Sequence, residues 1–194
     1  MVDLESILKD LESVSDEDML RSLSALDFCI DQEKYEMAFS LYGMTKYCSD
    51  MDISELHKLF PAAEISRFRS VIVFRAYTTL VYMRSDTLER SLDKLSDNSS
   101  LGPFKRYFRS GKQPKEATLA QKIRNSMCHG SFSIDIKEIS FWNGKVPGED
   151  REKIDLSQFF DRFCPQIFRF YSMAFLAGKG ASQKSGLGTV EKRP

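Results

Sequence analysis

Apolar residues recur every three or four positions through the N-terminal half of the chain, which is the spacing of amphipathic helices. Acidic residues directly after Ser15 suit the first turn of one helix, and Ser85 is placed to cap another. The pattern predicts helices over residues 4–11, 16–30, 35–47, 62–84 and 85–95. The segment 62–84 is apolar around much of its circumference, which is typical of a central helix.

The periodicity changes from helical to alternating after Gly130. Apolar and polar residues alternate over 132–136 and again over 139–141, and a turn signal follows at Asn143 and Gly144. A third short strand is predicted over 152–155. Together these strands make a small antiparallel β-flap, at about residues 131–155.

A helix rich in aromatic side chains is predicted over residues 156–176, and Pro165 should kink it or split it in two. Residues 178–194 contain glycine but no aromatic residue, so we predict a disordered C-terminal tail. The fold class predicted is mainly α, with the flap before the last helix. Residues 1–177 are expected to form a single domain, since this length supplies enough material for a sizeable core.

The composition is that of an ordinary globular protein, with 42% hydrophobic and 29% charged residues. No apolar run approaches the ~20 residues that cross a bilayer, and the acidic start does not look like a signal peptide. We therefore expect a cytoplasmic protein that does not contact membranes. The four cysteines are far apart and lack zinc-ligand spacing, so we expect them reduced, in or near the core. No metal site or cofactor is predicted.

Charge is unevenly distributed although the formal net charge is zero. Residues 1–60 hold fourteen Asp or Glu against five Lys or Arg, whereas residues 105–124 hold seven Lys or Arg against Glu116 alone. The basic segment suits a phosphate-binding groove, with Lys122, Arg106 and Arg109 as the residues that would hold phosphates. The alternative is a solvated basic face, or one that docks on the acidic N-terminal half.

The stretch Ile-Arg-Asn-Ser-Met-Cys-His-Gly, residues 123–130, ends a helix predicted to start near Pro114. At about 100° per residue, Arg124 lies at one margin of an apolar stripe, while Asn125 and His129 lie beyond it as i,i+4 neighbours. A straight helix therefore does not bring Arg124 to His129. Either the backbone leaves helical geometry near Gly130, or Arg124 of one copy meets His129 of another across a twofold dimer.

These residue types suit metal-free cleavage of RNA. Histidine acts as acid or base near neutral pH, so His129 can serve the ribose 2′-hydroxyl or the leaving oxygen. Arg124 can grip a phosphate through two parallel hydrogen bonds and stabilise developing charge. Asn125 can orient the ring. The alternative is that all three side chains only cap the helix end.

The run Leu-Ala-Gln-Lys-Ile-Arg-Asn-Ser-Met-Cys-His-Gly-Ser-Phe resembles the motif helix of the HEPN superfamily, particularly plasmid and prophage members with a β-flap after the histidine. The resemblance implies an up-and-down helical bundle that forms a homodimer. Its catalytic pair falls on Arg124 and His129, with Asn125 as accessory residue. Families of this kind often add an acidic or polar residue on an earlier helix, for which Glu64 and Arg67 are candidates.

Two functions follow from this resemblance. The first is a metal-independent endoribonuclease that cuts single-stranded RNA in a dimer groove, with a toxin, phage-defence or RNA-processing role. The alternative is a noncatalytic HEPN module that binds a nucleotide, RNA or a protein. The protein partners implied are an antitoxin or a nucleotidyltransferase-type protein.

Overall fold

A computed structural model describes residues 4–50, 71, 73–108, 118–135, 137–142, 144 and 151–185, with side chains described except at 48–50 and 179–185. Three helices open the fold: α1 (Leu4–Glu12), α2 (Asp16–Ser24) and α3 (Gln32–Asp50). The Ser15 hydroxyl accepts a hydrogen bond from the backbone N–H of Asp18, as a helix cap should. The helices predicted at residues 4–11 and 35–47 are confirmed.

The second helix ends at Ser24, earlier than the predicted end at residue 30. The segment that follows Ser24 takes an irregular path, because side chains of a later helix, which begins after Ser85, bind its backbone. Ser91 donates a hydrogen bond to the carbonyl of Asp27, and Thr87 donates one of 2.8 Å to the carbonyl of Cys29. Leu26 and Ile30, which suggested a longer helix, still pack against the core from this segment.

The described part of the predicted central helix is confirmed. Residues 73–77 are helical and continue into a wider, π-helical turn over Thr78–Tyr82. This turn contacts α3 and two helices from the C-terminal half. Ala76, Leu80 and Met83 are buried, as the pattern predicted. Residues 62–70 and 72 lie outside the described residues, as do the candidates Glu64 and Arg67.

Three further helices precede the flap: α4 (Asp86–Asp93), α5 (Gly102–Phe108) and α6 (Leu119–His129). The predicted cap on α4 is confirmed, since the Ser85 hydroxyl accepts from the backbone N–H of Leu88. Helix α5 begins at Gly102. Gly102 is needed there, because a Cβ at this position would collide with the carbonyl oxygen of Asp97.

The flap is a three-stranded antiparallel sheet of β1 (Phe132–Ile134), β2 (Glu138–Phe141) and β3 (Glu152–Asp155), in that order. Ile134, Ile139 and Ile154 pair across the strands, and the latter two are buried. The alternation that predicted the strands therefore marks the inner face of the sheet. Ile136 and Asn143 lie outside the described residues.

The last helix changes geometry just before Pro165, where a kink or a split was predicted, but it stays continuous. A π-helical turn over Gln158–Phe163 precedes α7 (Cys164–Ser185), and the backbone N–H of Cys164 bonds to the carbonyl of Phe159. Pro165 has no N–H, so the geometry changes where the α-helical ladder would need one. Helix α7 continues past the predicted boundary at residue 177, and residues 186–194 of the predicted tail lie outside the described residues.

Aromatic side chains fill the core, where α2 packs along α7. The rings of Phe104 and Phe170 stack with centroids 4.6 Å apart, and Tyr35 meets Tyr171 edge-on at 6.0 Å. The mainly α fold with a small antiparallel sheet is thus confirmed. No helix in the described ranges has the length and apolar character that a bilayer span requires.

Of the three cysteines whose side chains are described, only Cys164 lies in the core, as predicted for all of them. Burial raises the pKa of its thiol to about 12. Cys29 and Cys128 are free and exposed, and the side chain of Cys48 lies outside the described residues. Cys128 is exposed because it sits on the opposite side of α6 from the apolar stripe.

Candidate functional site

Local hydrogen bonds fix both ends of the motif helix α6. Thr118 and Gln121 form a capping box, in which each side chain accepts a hydrogen bond from the other's backbone N–H, at 3.3 and 3.2 Å. The helix therefore begins at Leu119 and not near Pro114. At the other end Gly130 adopts a left-handed conformation with φ 68° and donates its N–H to the carbonyl of Ser126.

The predicted division of α6 into two faces is confirmed. Leu119, Ala120, Ile123 and Met127 are buried in the core. Asn125 and His129 lie one turn apart on the exposed side of the helix. Within the described part of the chain neither side chain makes a hydrogen bond, so the predicted amide–imidazole contact is not formed. The imidazole of His129 faces solvent at the end of the helix.

Arg124, in contrast, is buried inside the helical bundle. Its Nη1 donates to the Oε1 of Glu89 on α4, and the two side chains are only 8% and 11% exposed. The Nε of Arg84 lies 3.5 Å from the other carboxylate oxygen of Glu89, and this second arginine is 47% exposed. Glu89 thus sits between a buried and a half-exposed guanidinium group. Arg124 therefore offers little accessible surface to a phosphate.

Burial dominates the electrostatics of this pair. It raises the pKa of the Glu89 carboxyl, and the nearby charges of Arg124 and Arg84 oppose that rise only in part. Burial also raises the pKa of Tyr107 and Tyr171, whose hydroxyls both respond to the charges of Glu89 and Arg124. Neither hydroxyl has a hydrogen-bond partner among the described residues. The motif arginine therefore belongs to a polar cluster inside the core.

The other basic residues predicted to hold RNA are also paired with carboxylates where the structure describes them. The Nζ of Lys122 lies 2.9 Å from Glu152 on β3, and Arg106 lies 2.7 Å from Asp10 on α1. The second contact supports the alternative prediction, in which the basic segment docks on the acidic N-terminal half. Arg109 lies outside the described residues. The described part of the basic segment does not form an open cationic groove.

A network of short-range hydrogen bonds ties the flap to the end of α6. The Ser126 hydroxyl donates to the carbonyl of Trp142 at 2.9 Å, and the N–H of Trp142 donates to the carbonyl of Ser131 at 3.1 Å. The Ser131 hydroxyl donates to the carbonyl of Gly144 at 2.8 Å. Together with the ion pair between Lys122 and Glu152, these bonds hold the flap beside His129.

Sequence reasoning missed Glu89 as the partner of Arg124 and proposed Glu64 or Arg67 for an acidic or polar residue on an earlier helix. The signal was available: Glu89 adjoins Leu88 and precedes Leu92 by three positions, so it borders the apolar face of α4. A charged residue at that margin needs an opposite charge nearby if it is to be buried. What the sequence lacked was the packing that brings α4 to α6.

Chemically, the arrangement offers one exposed imidazole on a rigid helix end, flanked by an amide and a fixed sheet. No group of three His, Cys, Asp or Glu side chains suited to a metal ion occurs among the residues that the structure describes. No family model matches the chain, and neither a curated protein nor a solved structure matches it.

Proposed function

We propose that the chain is a HEPN-type, metal-independent endoribonuclease acting on single-stranded RNA in the cytoplasm. The observation that carries this proposal is the exposure of His129, together with Asn125, on a helix end whose position is fixed by Gly130 and the flap. An acid–base group must reach the substrate, and a rigid mount holds it in place for proton transfer.

In this proposal the imidazole of His129 moves the proton of the ribose 2′-hydroxyl or protonates the leaving oxygen. Attack of the 2′-oxygen on the adjacent phosphorus breaks the bond to the 5′-oxygen. That oxygen takes up a proton and leaves as a 5′-hydroxyl, and the other fragment ends in a 2′,3′-cyclic phosphate. Asn125, one turn away on the same face, hydrogen-bonds the substrate. Arg124 positions the helix through Glu89 rather than touching the phosphate.

A homodimer forms part of this proposal. Mixing variants of the motif residues tests whether its two copies share one site. If Arg124 of one copy completed the site of another, a mixture of His129→Ala and Arg124→Lys chains would recover part of the activity that each lacks alone. The pairing of Arg124 with Glu89 argues for the opposite result. We therefore expect folded Arg124→Lys chains to cleave RNA by themselves and His129→Ala chains to add no activity in the mixture, with light scattering used to establish that mixed dimers form.

The second candidate is the noncatalytic HEPN module, which binds a nucleotide, RNA or a protein such as an antitoxin. The observation in its favour is that Lys122, Arg106 and Arg124 each pair with a carboxylate, which leaves little of the expected cationic groove. A binding module needs no acid–base group, so exposure of His129 would then have no chemical consequence.

An assay of RNA cleavage in the presence of EDTA distinguishes the two candidate functions. Purified wild-type protein, His129→Ala and Asn125→Ala are incubated with a structured RNA containing single-stranded loops. Cleavage by the wild type that His129→Ala abolishes supports the enzyme. Intact RNA, or equal cleavage by both proteins, refutes it. Cys128→Ala is the matched control, because this exposed neighbour of His129 has no role in the proposed chemistry.

A further inference from the structure

Arg151, which sequence reasoning did not single out, lies exposed on the outer face of the flap. Its Nη2 donates hydrogen bonds to the hydroxyls of Ser140 at 3.0 Å and Ser133 at 3.3 Å. These two serines are directly opposite each other on β2 and β1. The guanidinium group is therefore held over the sheet by two neutral hydroxyl oxygens.

This arrangement differs from the other cations near the motif helix. Lys122, Arg106 and Arg124 are each neutralised by a carboxylate, whereas Arg151 has only hydroxyl partners among the described residues. Hydroxyls fix the orientation of a guanidinium group without cancelling its charge. Of its five N–H donors, the one on Nε and the two on Nη1 bond to no described residue, and the hydroxyl proton of Ser133 can still be donated.

The outer face of the flap continues toward the proposed catalytic residue. Trp142 follows Ser140 by two positions, so its side chain leaves the sheet on the same side. It is half-buried, and it pairs with Ser131, two residues after His129. Two residues span at most about 7 Å, so this end of the outer face is close to the helix end that carries His129.

The acidic residues that the structure describes on this face lie at its other end. Glu138 pairs with Asp155 in the register of β2 and β3, and the Nζ of Lys153 neutralises Glu138 at 2.7 Å. The end that carries Arg151, Ser133 and Trp142 is thus the cationic and aromatic end. Exposed positive charge and an aromatic side chain on one surface are the combination that binds single-stranded nucleic acid.

We infer that Arg151 and Ser133 form a phosphate-binding subsite for RNA, holding a phosphodiester of the strand whose scissile bond lies at His129. Arg151 donates from its free nitrogens to the phosphate oxygens, and Ser133 adds its hydroxyl proton. Trp142 offers its ring to a flanking base. This inference rests on the proposed function, since it names where that substrate is held.

The test is binding of a short, dye-labelled, fully 2′-O-methylated single-stranded RNA, measured by fluorescence anisotropy over a series of salt concentrations. Methylation removes the nucleophile, so the RNA stays intact with the wild-type protein. The variants are Arg151→Ala, Arg151→Lys and Ser133→Ala. Arg21→Ala is the matched control, because it removes one exposed arginine from α2, far along the chain from the flap. Circular dichroism verifies that every variant is folded.

We expect Arg151→Ala to weaken binding about tenfold and to lower the slope of log affinity against log salt by about 0.7, the value for one phosphate contact on a single strand. Arg151→Lys should bind with intermediate affinity, since an ammonium group cannot bridge two hydroxyls and a phosphate in the same way. Ser133→Ala should weaken binding less than Arg151→Ala does, and Arg21→Ala should not change it.

Three results would overturn the inference, and they can be told apart. Undiminished binding by Arg151→Ala, with RNA cleavage by the wild type intact, rejects this subsite and leaves the proposed function standing. Weaker binding with an unchanged salt slope rejects a phosphate contact and assigns Arg151 a structural role. Absence of RNA binding by the wild-type protein rejects the subsite and the proposed function together.

Discussion

Removing either partner of the buried pair between Glu89 and Arg124 should destabilise the protein, with opposite dependence on pH. Each side chain is about nine-tenths buried, and loss of one partner of a buried pair costs about 3–5 kcal/mol. Glu89→Ala should reach that range, because it strands a guanidinium group that cannot give up its charge. Arg84 is half-exposed and can turn to solvent, but Arg124 cannot.

Arg124→Ala should cost less, about 1–3 kcal/mol at neutral pH. Glu89 keeps Arg84 as a neighbour and can also take up a proton. Burial already raises the pKa of Glu89, and loss of the Arg124 charge raises it further. Every additional pKa unit adds about 1.4 kcal/mol to the penalty at pH values above that pKa.

The sign of the pH dependence follows from that raised pKa. A carboxyl group whose pKa is higher in the folded than in the unfolded state stabilises the fold at low pH, and this contribution is lost as the pH rises through the folded pKa. The penalty of Arg124→Ala should therefore grow as the pH rises. The penalty of Glu89→Ala should stay level or shrink, because only the wild-type protein loses stability from this titration.

Urea unfolding followed by circular dichroism, at about pH 5 and about pH 8, measures both penalties. Arg21→Ala is the control: it breaks an exposed pair with Glu17, worth about 0.2–1 kcal/mol. Equal and pH-independent penalties for Glu89→Ala and Arg124→Ala would refute the reasoning. So would a cost near that of the control, since the pair would then not be buried in solution.

Three smaller predictions concern the ends of the motif helix. Gly130→Ala should lower the free energy of unfolding by about 1–2 kcal/mol. The cause is backbone strain alone, since φ is +68° and an added Cβ meets nothing within 4 Å. Thermal unfolding checks this, and an unchanged midpoint would contradict it. Thr118→Ala should cost about 1 kcal/mol and Thr118→Ser much less, measured by urea unfolding, because only the hydroxyl caps the helix. Ser126→Ala should cost about 1 kcal/mol and shift the emission of Trp142, the sole tryptophan, because the bond to its carbonyl holds the flap; unaltered emission would argue against that coupling.

Local patterns were enough to predict most elements of the fold. Serine before an acidic turn located the starts of α2 and α4, and alternation of isoleucines located the strands of the flap. The errors occurred where contacts between distant segments decide the backbone. The second helix was predicted too long because Leu26 and Ile30 keep helical spacing, while hydrogen bonds from Ser91 and Thr87 determine the real path.

The candidate site was predictable only in part, for the same reason. Helical geometry placed Asn125 and His129 on one face and Arg124 on the other, and the structure agrees. The position of Arg124 relative to the core stripe left open whether it faced solvent or the interior. That depends on Glu89, thirty-five positions earlier in the chain. The net charge of the basic segment did not predict a cationic groove correctly, because it does not reveal which carboxylates of other segments pack against the basic side chains.

The burial of Arg124 changes how a HEPN-type reaction would have to work in this chain. A guanidinium group engaged with Glu89 would have to break a buried ion pair before it could contact a phosphate, at a cost of several kcal/mol. Exposed positive charge without a carboxylate partner avoids that cost, and among the described residues Arg151 supplies it on the flap that follows the same helix. Arg124→Lys and Arg151→Lys discriminate between the two sources, since each keeps the charge and alters the hydrogen bonding. If Arg151 holds the phosphate, Arg151→Lys raises the KM of RNA cleavage, while Arg124→Lys chiefly lowers stability. A raised KM in Arg124→Lys alone would instead show that Arg124 binds the phosphate.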